Sequence, residues 1–347
     1  MTPAPLALRR VVPAAALACA LAATAGCAST SLGRGELPAS PLAAVYRPEE
    51  IASKRASAIK ALKEREQGGG ASSEGVVRLQ DLDAIFGGMP EAQRRLGEVQ
   101  GHAALIDPKT GDAKEIEGAP PGGRPVAWSS DRARLLLTGH WRDTTQLFAW
   151  DRATGAIEIL TSGPREHPAG CFAAGERLVA LELEQSGGNP SAWLAMTPPG
   201  GGGLRRLTQG PWDGQPACSP TAPLVANVTL AADGSPTIQV RDLDAPEQAH
   251  PVGRGFYPTF TPDGAWILYT AKTQQGQRLF RVRPDGSGRT AMAVSTQEES
   301  HPSVSPDGRY VAYVVTEEER ERLWVRRFDG TGSRPLLGGG DAGFPVW

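Results

Sequence analysis

The side chains in this chain that could hold a metal, attack a substrate or cross-link the fold are five histidines and four cysteines. His102, His140, His167, His250 and His301 are scattered rather than grouped. Metal sites draw on close His, Cys and carboxylate groupings, so the pattern predicts no metal and no cofactor. The Asp-rich runs at 283–288 (RPDGSG) and 328–333 (FDGTGS) lack the spaced carboxylates and the bidentate Glu that calcium needs. Serine-hydrolase chemistry needs a Gly-x-Ser-x-Gly elbow with a following Asp and His, and no such elbow occurs. No catalytic residue is therefore expected.

The elements that position these residues repeat. The segments YPTFTPDGAWILYT from Tyr257 and HPSVSPDGRYVAYV from His301 are two clear copies of one phrase. Its opening proline recurs at Pro125, Pro168, Pro216, Pro258, Pro302 and Pro345, in steps of 43, 48, 42, 44 and 43 residues. A period in the low forties, built from short alternating apolar runs and turn residues, marks a β-propeller. After each proline a short run and then a stronger alternating run read as the two inner strands of a blade. Pro-Asp-Gly between them supplies a preset φ, a side-chain acceptor and a positive φ, which makes it a turn and not a site. A third strand, an Asp-Gly or similar turn and a fourth strand follow, as at 277–290 and 321–334.

Outer hairpins number six, the first beginning at His102, whereas complete inner pairs number five, with Phe344-Pro-Val-Trp347 left over. The expected fold is all-β: a six-bladed propeller of four-stranded blades whose last blade joins strands from both ends of the chain. Its second strand is expected from residues 75–80 or 96–100. The residues before the anchor prolines, His167, Gln215, Tyr257, His301 and Phe344, are candidate channel-mouth positions. Trp128, Cys218, Phe260 and Val304 would line or back the channel.

With its Ser-Pro-Asp-Gly turn and aromatic-rich second strand, the repeat resembles the TolB-type propeller family over roughly residues 100–347. That resemblance implies a non-enzymatic cell-envelope propeller with a protein partner, such as an outer-membrane lipoprotein or a trans-envelope complex. The alternative is a propeller with a small-molecule binding or hydrolytic site in its channel. TolB itself has an α/β domain before its propeller and is not lipidated, and the present chain departs from both features.

The opening carries Arg9-Arg10, a 15-residue apolar stretch from Val11 to Ala25, and Thr24-Ala25-Gly26-Cys27. Fifteen residues fall short of a span of about 20, and small residues before a cysteine suit signal peptidase. Residues 1–26 read as a lipoprotein signal peptide with lipidation at Cys27, the other reading being an ordinary cleaved signal. Ala28 favours the outer membrane, with the protein facing the periplasm and held by its lipid alone. Removing Arg9 and Arg10 takes the formal charge from −2 to −4, which offers nothing to nucleic acid. Residues 27–99 read as a tether with a helix from Pro48 to about Gln67 and a second helical patch before the ring. The segment serves either as a plug against one rim or as a partner-binding helix. Cys171 and Cys218 fall in neighbouring blades and either bond, as an oxidising compartment permits, or remain two buried thiols.

Overall fold

The computed structural model describes residues 31–68, 101–184, 190–293 and 295–347. Cys27 with residues 1–26, the segments 75–80 and 96–100, and the second helical patch lie outside the described residues.

Six antiparallel four-stranded sheets form a propeller. Blade one is Arg124–Trp128, Arg134–Trp141, Thr144–Asp151 and Ile157–Ile159, from the axis outward. Blade two is Gly170–Ala173, Arg177–Glu184, Ser191–Met196 and Arg205–Arg206, and blade three is Asp213–Cys218, Leu224–Leu230, Pro236–Asp242 and Ala249–Arg254. Blade four is Phe256–Phe260, Ile267–Thr273, Gly276–Val282 and Thr290–Ala291, and blade five is Glu298–Val304, Tyr310–Glu317, Arg320–Arg327 and Ser333–Pro335. Blade six takes its inner strand, Asp341–Val346, from the end of the chain and its other three, Leu42–Arg47, His102–Ile106 and Ala113–Glu115, from the beginning.

The second strand of blade six corrects the sequence reading: it is Leu42–Arg47, not residues 75–80 or 96–100. Leu42 pairs with Ile106 and Tyr46 with His102 on one side, while Ala43 pairs with Val346 and Arg47 with Asp341 on the other. Leu-Ala-Ala-Val-Tyr-Arg carries two alanines where strands prefer β-branched residues, so it reads as polar tether. Those alanines are fully buried, and their small size lets neighbouring sheets approach. The ring thus begins well before residue 100. Residues 31–41 also belong to it: Leu32 and Leu37 are buried between blades five and six with Leu336 and Trp347.

Apolar clusters fill every interface around the ring. Leu136 and Leu147 meet Phe172 and Leu178 between blades one and two, and a larger cluster runs through blades two, three and four. Leu268 and Met292 meet Val311 and Tyr313 between four and five, and Ala43 and Ala103 meet Leu135 and Leu137 between six and one. Each fully buried large side chain contributes about 1.5–3 kcal/mol relative to exposure, so the sheets are held by face-to-face packing.

The turns between inner strands satisfy themselves. In blade five the Ser305 hydroxyl donates to Asp307 Oδ1 at 2.6 Å and accepts from Tyr310 N at 2.9 Å, while Gly308 takes φ 70°. Thr261, Asp263 and Gly264 repeat the arrangement in blade four. Blade one keeps Ser129 and Asp131 but has Arg132 at the glycine position, with φ 59°.

A helix at Glu49–Gly68 follows Leu42–Arg47, close to the expected bounds. Charge rather than apolar packing ties it to the ring: Glu49 accepts from Arg320 and from Gly340 N, and Arg55 pairs with Glu321 at 3.5 Å. No helix of the described residues is long and apolar enough to cross a membrane.

Trp347 links the closing blade to its neighbour and to the N-terminal segment: its backbone N–H donates to Ser303 Oγ at 2.8 Å and its Nε1 to Ser40 O at 3.1 Å, and the residue is buried. Trp347→Ala should lower stability by about 3–5 kcal/mol, the range for emptying a large aromatic site. Urea denaturation checks this, and an unchanged midpoint would show that the closing strand contributes little.

Candidate functional site

The inner strands of five blades share an irregularity that builds a collar inside the channel. Pairing with the second strand slips by a residue at Pro125/Ala127, Gly214/Ala217, Phe256/Thr259 and Ser300/Ser303, and again in blade six. Such bulges re-aim a side chain without ending the strand. In blades three to six the residue before the anchor proline sits at positive φ: Gln215 at 46°, Tyr257 at 53°, His301 at 50° and Phe344 at 52°. A non-glycine residue in this region is strained, and the packing that follows over-determines it.

The collar runs around the axis blade by blade. The Arg124 guanidinium carbon lies 4.6 Å from the Phe344 ring centroid, and Phe344 meets His301 edge-on at 4.8 Å. His301 stacks on Tyr257 at 3.5 Å, and Tyr257 N donates to Gln215 Oε1 at 2.6 Å. Arg124 Nη2 donates across to Pro168 O at 2.6 Å, which brings blade two into the circle.

Four of the five expected channel positions are therefore brought together, and His167 is not. Its Nδ1 lies 2.9 Å from Gln146 Oε1 and its Nε2 3.6 Å from Glu182 Oε1, in a buried cluster that includes Trp193. The cause is local: the inner strand of blade two starts only at Gly170, after the anchor proline, and His167 N bonds back to Thr145 O of blade one. Arg124 is the residue that sequence reasoning missed. It precedes Pro125, and the same alignment that selected the other five positions contains it.

The collar residues share a cavity of about 360 Å³ with Trp128, Phe260 and Val304, with anchor prolines of five blades and the turn prolines, and with both half-cystines. Cys171 and Cys218 are joined as a disulfide across the interface of blades two and three, with Cα atoms 5.6 Å apart. Arg132 reaches the lining with its guanidinium over the Trp128 ring at 4.7 Å and donates to Pro41 O. Among the described residues no three His, Cys, Asp or Glu side chains converge to hold a metal ion.

Electrostatics hold the collar histidine neutral. Burial pushes the His301 pKa down to about 4; Glu321 acts upward and Arg124 downward. Glu321 is itself held at about 2, because Arg55, Arg47 and His301 outweigh the burial that would raise it. Arg47 Nη1, at the end of the strand before the helix, donates to Glu321 Oε2 at 2.9 Å.

The family profile described as TolB beta propeller domain matches residues 121–347. The chain belongs to the TolB beta propeller domain family. Among solved structures, a protein assigned as TolB from Agrobacterium tumefaciens is similar at 20% identity and TM-score 0.58, covering 69% of this chain and 89% of its own. TolB from Acinetobacter baumannii is similar at 16% identity and TM-score 0.60, covering 89% of this chain, which spans 66% of that protein. An oligogalacturonate lyase in complex with manganese is similar at 16% identity and TM-score 0.50, covering 68% of this chain and 70% of its own. At these identities the likeness is one of fold. No curated protein matches the chain.

The neutral histidine makes the fold acid-sensitive. Between pH 6.5 and about 4 the unfolded chain holds a proton on this residue that the folded chain does not, so stability falls as pH drops through that window. His301 alone should account for roughly 2–3 kcal/mol of that loss. Glu321, depressed to about 2, adds a further decline as pH falls from 4.5 towards 2. Urea denaturation at pH 7 and pH 4 should show a smaller difference in His301→Gln than in the unsubstituted protein. An imidazole titrating at or above its ordinary value by NMR would contradict this account.

Proposed function

We propose that this chain is a non-enzymatic scaffold of the bacterial cell envelope, anchored by lipid at Cys27, that presents a propeller rim or channel mouth to a protein partner. Membership of the TolB beta propeller domain family over residues 121–347 carries the reading. The basic pair Arg9-Arg10, the short apolar stretch and Thr24-Ala25-Gly26-Cys27 support lipidation and export. Ala28 after the cysteine supports an outer-membrane protein facing the periplasm. Its partner class is then an outer-membrane lipoprotein or another component of a trans-envelope complex.

The channel mouth suits recognition for a physical reason. Its collar is a fixed stack of aromatic and guanidinium groups contributed by four blades, and such rigid amphipathic side chains lose little entropy on binding. Rim and loop residues around it would set which partner docks.

Pull-down from detergent-solubilised envelopes should recover a defined envelope protein together with the chain, and recovery of no specific partner would count against the scaffold reading. Intact mass should show a diacylglyceryl-modified Cys27 at the mature terminus, and Cys27→Ser should shift the protein to the soluble fraction. A mature terminus downstream of Cys27 without lipid would falsify the anchoring. Peptide, ester, glycoside and phosphoester substrates should remain uncleaved, and turnover abolished by His301→Gln would replace the scaffold with an enzyme.

A further inference from the structure

We propose that the channel cavity is a carboxylate-binding site, holding the acid group of an otherwise apolar ligand against Arg124 at the collar. Neither the family match nor the scaffold reading implies this occupant, and it stands on the charge and polarity of the cavity wall.

The first observation is charge. Two arginines, Arg124 and Arg132, line the cavity, and no Asp or Glu does. This cationic cavity lies in a chain whose formal charge is −2. Arg124 bonds a carbonyl and covers an aromatic ring, and among the described residues no carboxylate pairs with it. Arg132 likewise has a carbonyl and an indole as partners, and its Nε has no acceptor. Both side chains are half-buried, and a guanidinium withdrawn from water is ordinarily offset by a carboxylate, because an uncompensated charge in a low-dielectric site is costly. An incoming anion supplies the missing charge, and a carboxylate matches the planar guanidinium fork.

The second observation is independent of charge. Gln215 is 8% exposed and lines the cavity, and its orientation is fixed because its Oε1 accepts from Tyr257 N. Its Nε2 is consequently a donor, and it has no acceptor. His301 lines the cavity too, and its Nε2 has no partner while Nδ1 lies 3.0 Å from Ser300 Oγ. In the tautomer in which the Ser300 hydroxyl donates to Nδ1, the neutral imidazole carries its proton on Nε2 and offers a second donor. Burial and Arg124 both hold that ring neutral, so it donates without bringing charge of its own. The unused Gln215 amide donor, an imidazole that donates in one tautomer, and a cation without an acid partner among the described residues, contributed by blades three, five and one, are what an acid group requires.

The rest of the wall sets the body of the ligand. Trp128, Phe260, Val304 and the prolines present apolar surface, and about 360 Å³ falls within the range of small-molecule sites. An apolar carboxylate can come from a free small acid or from the C-terminus of a peptide, and the recognition chemistry is shared.

Titration calorimetry on the purified full chain separates these cases. The probes are phenylacetate against phenylacetamide, and acetyl-Ala-Ala-Phe as free acid against its C-terminal amide. Acids should bind at least tenfold more tightly than their amides, a difference that requires no variant. Arg124→Gln should weaken acid binding tenfold or more, while Arg254→Gln, which removes an exposed arginine of the outer strand of blade three, should leave it unchanged. Binding of phenylacetate alone identifies a small-acid site, and tighter binding of the free-acid peptide identifies a chain terminus. Equal affinity for acid and amide, no binding of either acid up to about 10 mM, or undiminished affinity in folded Arg124→Gln would overturn the proposal. None of these failures touches partner docking at the rim, so the scaffold reading is tested separately.

Discussion

Ring closure is the constraint on which everything else rests. Six sheets packed face to face leave two open faces and a gap unless the last blade meets the first. Blade six closes the circle with one strand from the end of the chain and three from its beginning. Its inner strand is held on both sides: Trp347 bonds Ser303 of blade five, and Trp128 of blade one donates to Val346 O at 3.2 Å. Residues 31–41 reinforce the same junction, with Tyr310 OH donating to Glu36 O and Arg334 to Leu32 O. The two ends of the chain thus meet inside blade six, where pairing of Asp341–Val346 with Leu42–Arg47, rather than backbone, joins the strands.

The collar follows from closure. A side chain at a strand bulge reaches the axis only if its blade is fixed in angle, and the contacts Arg124–Phe344–His301–Tyr257 cross three successive blade interfaces, including both that close the ring. The strain of four positive-φ residues is offset by this mutual stacking. Glu321 extends the link outward, since it faces His301 on one side and Arg47 and Arg55 on the other. The helix Glu49–Gly68 is consequently coupled by charge to the channel.

Much of the fold was legible because the repeat encodes it locally. Ser-Pro-Asp-Gly specifies a self-bonded turn, alternation specifies inner strands, and a leftover Phe-Pro-Val-Trp specifies a closing strand. Leu42–Arg47 was illegible because its alanines fit a tight sheet interface without advertising a strand, and because 54 residues separate it from its partner at His102. At the site, aligning the residue before each proline found four collar members at once. It failed at His167 because blade two starts its inner strand late, which no pattern of residue types shows. Arg124 was passed over for a related reason: an arginine at a strand start reads as solvated surface, and only the assembled ring turns it onto Phe344.

The proposal that the channel binds rather than turns over a ligand rests on the chemistry of its lining. A general base works best with a pKa near the working pH, and a histidine held at about 4 is a weak base at neutrality. Raising its basicity would require a carboxylate against the ring, yet Glu321, the acid acting upward on it, is committed to Arg47 and Arg55. A nucleophile would need an adjacent base, and two of the lining hydroxyls, Ser129 and Ser303, are engaged in fold contacts, one with Asp131 in a turn and the other with Trp347 N. What remains free for a ligand is hydrogen-bond donation and positive charge over an apolar floor. Those groups are the ones on which the proposed carboxylate site rests.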